Sequence, residues 1–229
     1  MIIEKLIEVQ SKHLYGNIGY RILDKDSYKE IKSKEEAEIW GEHHYKDWSE
    51  LYKHIKNNYS HIKNNSLIKA PLECYCGYTY NDINKYLRSD SHEEYNTPRE
   101  MANILSIILC SAPNIPENII LYRLVCDEFI KGLIENNKKT PPTPFLEKGF
   151  MSTSLLKDIV FLDENYSKEK NLLKLYVKKG TIGAYVNAIS RRREEEILLV
   201  PNMYVAMTKY PYKDKELDKI VYECIIESF

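Results

Sequence analysis

The run Arg193-Glu194-Glu195-Glu196-Ile197-Leu198-Leu199-Val200 carries three acidic residues straight into an apolar, β-type stretch. Side chains alternate faces along a strand, so Glu194 and Glu196 share one side and Glu195 takes the other, as an outward-facing spacer. Two carboxylates spaced i, i+2 at the mouth of a buried strand form an electrostatic site for a developing positive charge. A solvated strand end in a Lys/Glu-rich chain is the plainer reading of the same run.

Two other pieces carry chemistry. Tyr122-Arg123 places a charge inside an otherwise apolar strand, which is costly unless the charge is paired or sits at an exposed end. Arg123 is then either a salt-bridged edge residue or an anion clamp, because a planar guanidinium suits a diphosphate or a carboxylate. Gly149-Phe150-Met151-Ser152-Thr153-Ser154-Leu155 puts Ser152 and Ser154 on one face of a strand and Thr153 on the other; an ordinary polar edge strand looks the same. Ser154-Leu155-Leu156-Lys157 fits Ser-x-x-Lys, but neither Ser-Asp-Asn nor Lys-Thr-Gly accompanies it, so an acyl-serine mechanism is rejected. His43-His44, His54 and His61 have no ligand motif, and Cys74-x-Cys76 lacks zinc-ligand spacing, so no metal is expected.

The elements that position these residues divide the chain. The first half reads helical. Ser33-Lys34-Glu35-Glu36 opens a capping box that leads into Ala37, Trp40, Trp48, Leu51 and Ile55 at roughly helical spacing. Further helices are expected over 80–87 and 99–110, the latter entered through Thr97-Pro98, with a polar connector over 57–65. The second half changes period: strands are expected over 118–125, 149–154, 171–177, 183–187, 196–200, 204–208 and 220–226, with a Pro-rich loop at 138–144. Helices first and many short strands after argue α+β.

Composition bounds the rest. At 229 residues the chain reads as one domain, 1–229, with an N-terminal helical part over 1–70 and the remainder over 71–229. A net charge of -1 supplies no global basic field for nucleic acid or an anionic membrane. Nineteen tyrosines against five phenylalanines fit half-buried strand and groove positions. Five cysteines cannot all pair internally and read as reduced thiols. The N-terminus lacks an apolar h-region, so no signal peptide is visible, and no apolar run reaches about 18 residues.

In the order Arg strand, Ser-Thr-Ser strand, Glu-x-Glu strand, the chain resembles the catalytic domain of the Arg/Ser-Thr-Ser/Glu class of bacterial mono-ADP-ribosyltransferase toxins. That class includes the enzymatic components of clostridial and bacillar binary toxins and the C3-type exoenzymes. Tyr75 and Tyr80 followed by Ile83-Asn84-Lys85-Tyr86-Leu87-Arg88 is similar to its Tyr…Tyr-x-x-Ile-Asn-x-x-Leu-Arg helix. Lys148 to Leu155 is close to its Ser-Thr-Ser segment. Gly180-Thr181-Ile182-Gly183-Ala184-Tyr185 resembles the turn before its last catalytic strand, and Glu194 to Leu199 matches Glu-x-Glu-Ile-Leu-Leu. Trp40 and Trp48 sit where its N-terminal helices carry Trp.

The resemblance implies an ADP-ribosyltransferase fold, N-terminal helices packed on a two-sheet mixed β-sandwich. It also implies cleavage of the nicotinamide–ribose bond of NAD, with NAD as co-substrate and no metal, and transfer of ADP-ribose to a protein side chain. The transition state would be oxocarbenium-like, as in glycoside transfer. Glu196 would stabilise that charge, with NAD glycohydrolysis as a side activity. Glu194 would face an arginine acceptor, Ser152 would brace Glu196, and Arg123 would bind phosphate or hold the nicotinamide end. Asn84, Arg88, Tyr75 and Tyr80 would line the NAD pocket, with Phe161 against nicotinamide. C3-type relatives carry Gln where Glu194 stands and modify asparagine, so Glu194 favours an arginine of a host protein, actin being one candidate and a Rho-type GTPase the alternative. A protein-binding module without catalysis is the reading from a different class.

The chain departs from the family in two places. Phe161 is followed by Leu162-Asp163-Glu164 and not by Phe-x-x-Arg, leaving Lys168 or Lys170 to replace the phosphate anchor. The segment Ala188 to Arg193 has no aromatic and ends in three arginines, which suggests a target with an acidic patch. Binary components carry two tandem copies of the domain where this chain has one, so a separate translocation component is an open expectation. The family implies a monomer that is secreted or delivered into a host cell's cytosol.

Overall fold

Ser33 caps the first long helix, as its spacing to Glu36 predicts. In the computed structural model, which describes residues 12–58, 70–89, 97–161, 168–190 and 194–227, the Ser33 Oγ accepts from the Glu36 amide at 3.2 Å. The Glu36 carboxylate in turn accepts from the Lys32 amide at 3.1 Å. Backbone donors that the helix start would leave orphaned are satisfied this way. Helix α1 (Lys34–Asn58) buries Ala37, Trp40, Tyr45, Trp48 and Tyr52. Of the expected stripe, Ala37, Trp40 and Trp48 are buried, but Leu51 and Ile55 are exposed. Tyrosines take their place because a buried ring can still send its hydroxyl to a polar partner; Tyr52 donates to Glu73 at 2.6 Å.

Helix α2 (Pro71–Cys74) runs through a π-helical turn, Tyr75–Thr79, into α3 (Tyr80–Arg88), and α4 (Thr97–Cys110) packs beside them. Strand β1 (Ile119–Val125) follows, then α5 (Asp127–Asn137). The sequence reading has no helix at α5. Gly132 sits at its centre, where glycine disfavours helix, but a Cβ there would lie 2.7 Å from the Phe145 ring. Close packing of that ring, invisible in the local sequence, selects the glycine. The last helical turn is α6 (Asn187–Ser190).

The remaining strands are β2 (Phe145–Glu147), β3 (Met151–Ser154), β4 (Asn171–Val177), β5 (Gly183–Tyr185), β6 (Glu196–Leu199), β7 (Met203–Met207), β8 (Tyr212–Asp214) and β9 (Lys219–Glu227). The three-residue strands β2 and β8 are absent from the sequence reading; each is too short for alternation to show. The sheet order is β2-β7-β9-β4-β1-β3-β6-β5, with β8 on β9. Among the pairings between the named strands only β4–β9 is parallel, so the sheet is mixed. The hydrogen-bonded path is continuous, yet the joint between β1 and β3 is a single pair, Tyr122↔Ser154. A six-strand wing and a three-strand wing therefore meet at a narrow seam.

Alternation along β1 sorts two cores. Ile119, Leu121 and Val125 join the large core under the helices, and Ile120 and Tyr122 join a smaller core on the opposite face. Parity sends Arg123 to the helix side, one residue past the seam. All five cysteines are free thiols. No helix among the described residues is long and apolar enough to cross a membrane.

Candidate active site

Strand register assembles the centre. Ser154 lies opposite Glu196 on β6, which makes Ser152 the diagonal neighbour of Glu196 on the same face. The Ser152 Oγ donates to Glu196 Oε1 at 2.5 Å. Across the seam, Arg123 Nη1 donates to the Ser152 carbonyl at 2.7 Å. Its Nε is buried with no hydrogen-bond partner among the described residues. A guanidinium holds its charge at any accessible pH, so this is a charged donor whose acceptor is not among the described residues.

The three hydroxyl residues of β3 divide their work. Ser152 braces Glu196. Thr153, on the other face, donates to the Ile197 carbonyl at 2.7 Å. Ser154 donates to the Glu194 carbonyl at 2.6 Å and accepts from the Leu156 amide at 3.0 Å. That clamp on Glu194 was missed in the sequence, although Ser154 sits in the motif itself.

A cleft opens over these groups. Arg123, Ser152, Glu194 and Glu196 line it from the sheet, and Tyr75, Tyr80 and Asn84 from the helices, with Cys76, Leu124 and Ile159 between. The π turn explains the two tyrosines. In an α-helix, residues five apart point about 140° from one another; the wider π turn brings Tyr75 and Tyr80 onto one side. Burial pushes the Tyr75 phenol well above its ordinary value, helped by Glu196 and opposed by Arg123 and by the hydrogen bond from Asn84. Tyr75 is therefore a neutral hydroxyl in the cleft wall.

Asn84 lines the cleft and also ties the helix to the Ser-Thr-Ser segment. Its Oδ1 accepts from the Phe150 amide at 2.9 Å, and its Nδ2 donates to the Tyr75 hydroxyl at 3.0 Å. Arg88 is not among the cleft-lining residues. It forms a forked pair with the buried Glu147, at 2.9 and 3.2 Å, and Glu147 also accepts from the Gly149 amide at 2.6 Å. A Cβ on Gly149 would approach Asn84 Oδ1 to 2.9 Å and Glu147 Oε1 to 3.0 Å, which explains the glycine before the motif. Arg88 thus supports the entry to β3. Glu147, two residues before Gly149, escaped the sequence reading.

Phe161 ends a 3-10 helix, Lys157–Phe161, and is 68% exposed. It does not line the cleft, whereas Ile159 of the same turn does. Lys168 and Lys170 are exposed and also outside the lining set. Leu162 to Glu164 and the triplet Arg191 to Arg193 lie outside the described residues.

Glu195 overturns its sequence reading. It has no exposed surface and is not an outward spacer. Its φ is 46°, so regular strand alternation fails one residue before β6 begins. The kink turns its carboxylate inward, where it accepts from the Tyr185 hydroxyl at 2.5 Å and from Asn187 Nδ2 at 3.2 Å. Burial holds its carboxyl above the usual range, against the lowering effect of the Tyr185 bond.

A family model described as ADP-ribosyltransferase exoenzyme matches residues 37–226, a span that contains every group lining the cleft. Similar folds occur among solved structures. BECa, the ADP-ribosylating toxin of a binary enterotoxin of C. perfringens, solved with NADH, is 22% identical with a TM-score of 0.64, covering 87% of this chain and 50% of its own. Plx2a, an ADP-ribosyltransferase toxin from Paenibacillus larvae, is 18% identical with a TM-score of 0.64, covering 93% and 100%. The C3 exoenzyme of Clostridium limosum is 19% identical with a TM-score of 0.63, covering 89% and 98%. This chain therefore spans about half the length of BECa. No curated protein matches the sequence. With most of its length matched by that family model, the chain belongs to the ADP-ribosyltransferase exoenzymes.

Proposed function

We propose that this protein transfers ADP-ribose from NAD to an arginine of a host protein. The observation that carries the reading is the presence of two carboxylates, Glu194 and Glu196, on one cleft wall with Arg123 and Ser152. Residues fit the co-substrate: the cleft gathers polar and aromatic groups from sheet and helices, and Arg123 Nε is a buried donor with no acceptor among the described residues. Arg123 would bind phosphate or hold the nicotinamide end, with Tyr75, Tyr80 and Asn84 along the opposite wall.

Glu196, held by Ser152, faces the positive charge that grows on the ribose as the carbon–nitrogen bond to nicotinamide breaks and its electron pair leaves with nicotinamide. Glu194 is half-buried at the cleft edge. It would orient a guanidinium and accept its proton as the new carbon–nitrogen bond forms, which a protonated arginine with a pKa above about 12 requires. Water in place of the acceptor yields NAD glycohydrolysis. Actin is one candidate target, and a separate translocation component would fit a binary layout.

The test is labelled NAD with a eukaryotic cell lysate. The reading expects a labelled band removed by neutral hydroxylamine. Glu194→Gln should lose transfer while keeping NAD cleavage, and Glu196→Gln should lose both. A hydroxylamine-resistant band on a small GTPase would replace arginine with asparagine as the acceptor. Wild type that neither labels protein nor releases nicotinamide would leave only a binding module.

A further inference from the structure

The connection between β5 and β6 carries Glu194, and its anchoring is uneven. Glu196 lies inside the ladder: it pairs with Ser154 and has Ser152 against its carboxylate. Glu194 lies outside β6. Its backbone is held on one side by Ser154, through its carbonyl. On the other side it adjoins Glu195, whose left-handed backbone is disfavoured for any residue with a Cβ and whose carboxylate is tied to Tyr185 and Asn187 at the opposite end of the same connection. Tyr185 cannot retreat from that contact, because a Cβ on Gly41 of α1 would sit 2.2 Å from its ring; helix and ring are packed flat together. The Glu195 carbonyl is fixed as well, accepting from the Leu155 amide at 3.1 Å.

We propose that Glu195 is a positioning residue for the acceptor-side carboxylate: bonded to Tyr185 and Asn187 and backed by α1, it closes the base of the β5–β6 connection and aims Glu194 into the cleft. The proposal rests on the transfer reading above and adds to it a specific division. Ser152 secures the carboxylate that cleaves NAD, and Glu195 secures the one that meets the protein acceptor. Loss of Glu195 therefore separates two activities that loss of the fold would remove together. Misplacing a reactive group by about 1 Å costs up to about a hundredfold, and here the displacement falls on Glu194 first.

The experiment uses the full chain and compares Glu195→Ala, Tyr185→Phe and Glu195→Gln with wild type. Nicotinamide release from NAD and labelling of eukaryotic lysate protein are measured in parallel, and thermal melts report folding. Glu195→Ala and Tyr185→Phe should lose transfer by about tenfold or more while NAD cleavage stays within about threefold. Glu195→Gln should recover most of the transfer, because its amide oxygen still accepts from Tyr185. An unchanged ratio of transfer to cleavage in both Glu195→Ala and Tyr185→Phe overturns the proposal, as does a Glu195→Gln variant as impaired as alanine. Should Glu195→Ala fail to fold, Tyr185→Phe alone decides. Wild type that labels no protein overturns the transfer reading itself, and that outcome needs no variant to be seen.

Discussion

Glu196 and Glu223 are both buried carboxylates on strands of one sheet, and their surroundings differ in kind. Glu223, on β9, is 4% exposed. It accepts from Lys25 at 2.5 Å, Lys209 at 2.7 Å, Tyr176 at 2.9 Å and Tyr212 at 3.1 Å. Burial pushes its carboxyl up, but the two lysines outweigh that and hold it down to about 2. Charge and hydrogen bonds close on themselves there, which is what a structural buried ion needs. At Glu196, Ser152 supports the carboxylate, and beside it Arg123 keeps a buried donor that no described residue accepts from. A cleft lies over the second cluster. Burial of charge alone does not mark a functional site; an unspent donor facing a cavity is what makes the second cluster the candidate.

The sharpest way to break this contrast is to neutralise each acid. Glu196→Gln should lower the rate of nicotinamide release by about a hundredfold or more with little change in melting temperature. Wild-type turnover in that variant would remove Glu196 from the chemistry. Arg123→Lys keeps the charge and loses the fork, so kcat/KM for NAD should fall by about tenfold or more; an unchanged value would mean that Nε is not addressed to a ligand. Glu223→Ala should do the opposite of Glu196→Gln. It strands the buried Tyr176 hydroxyl and should cost roughly 1–3 kcal/mol in denaturant unfolding, with activity per folded molecule unchanged.

Acidity sets Glu223 against a third buried carboxylate, Glu195, and these two depart in opposite directions. The Glu223 carboxyl titrates lower folded than unfolded, so its contribution to stability is full above about 4.5 and is lost as pH falls toward about 2. Glu195 titrates higher folded than unfolded, so its contribution is full at acid pH and is lost as pH rises through the folded value. Glu195→Gln should therefore be at least as stable as wild type at neutral pH, with any advantage vanishing on acidification. Urea midpoints across pH 4 to 8 measure this, the smallest of the four effects.

What was legible followed from periodicity and local rules. The Ser33 cap, the 171–177 strand and the Arg, Ser-Thr-Ser and Glu-x-Glu strands could all be read because each pattern is completed within a few residues. The same alternation rule misled at Glu195, since one left-handed residue reverses its side chain and no local feature of Glu-Glu-Glu announces the kink. Arg88 and Phe161 carried expectations from a motif's spacing, yet the one is claimed by Glu147 and the other is turned to solvent. Glu147 and Ser154 went unassigned because their partners are 59 and 40 residues away in the chain.

By itself the sequence determined the α+β class and the order of the three site strands, because strand periodicity and motif order are properties of adjacent residues. The tertiary structure alone decided that those strands meet at a seam one pair wide, that a π turn faces Tyr75 and Tyr80 onto the cleft, and that the middle glutamate of the acidic run is its buried anchor. Those outcomes depend on contacts between distant segments, where packing against α1 and across the sheet selects one arrangement from several that local preference leaves open.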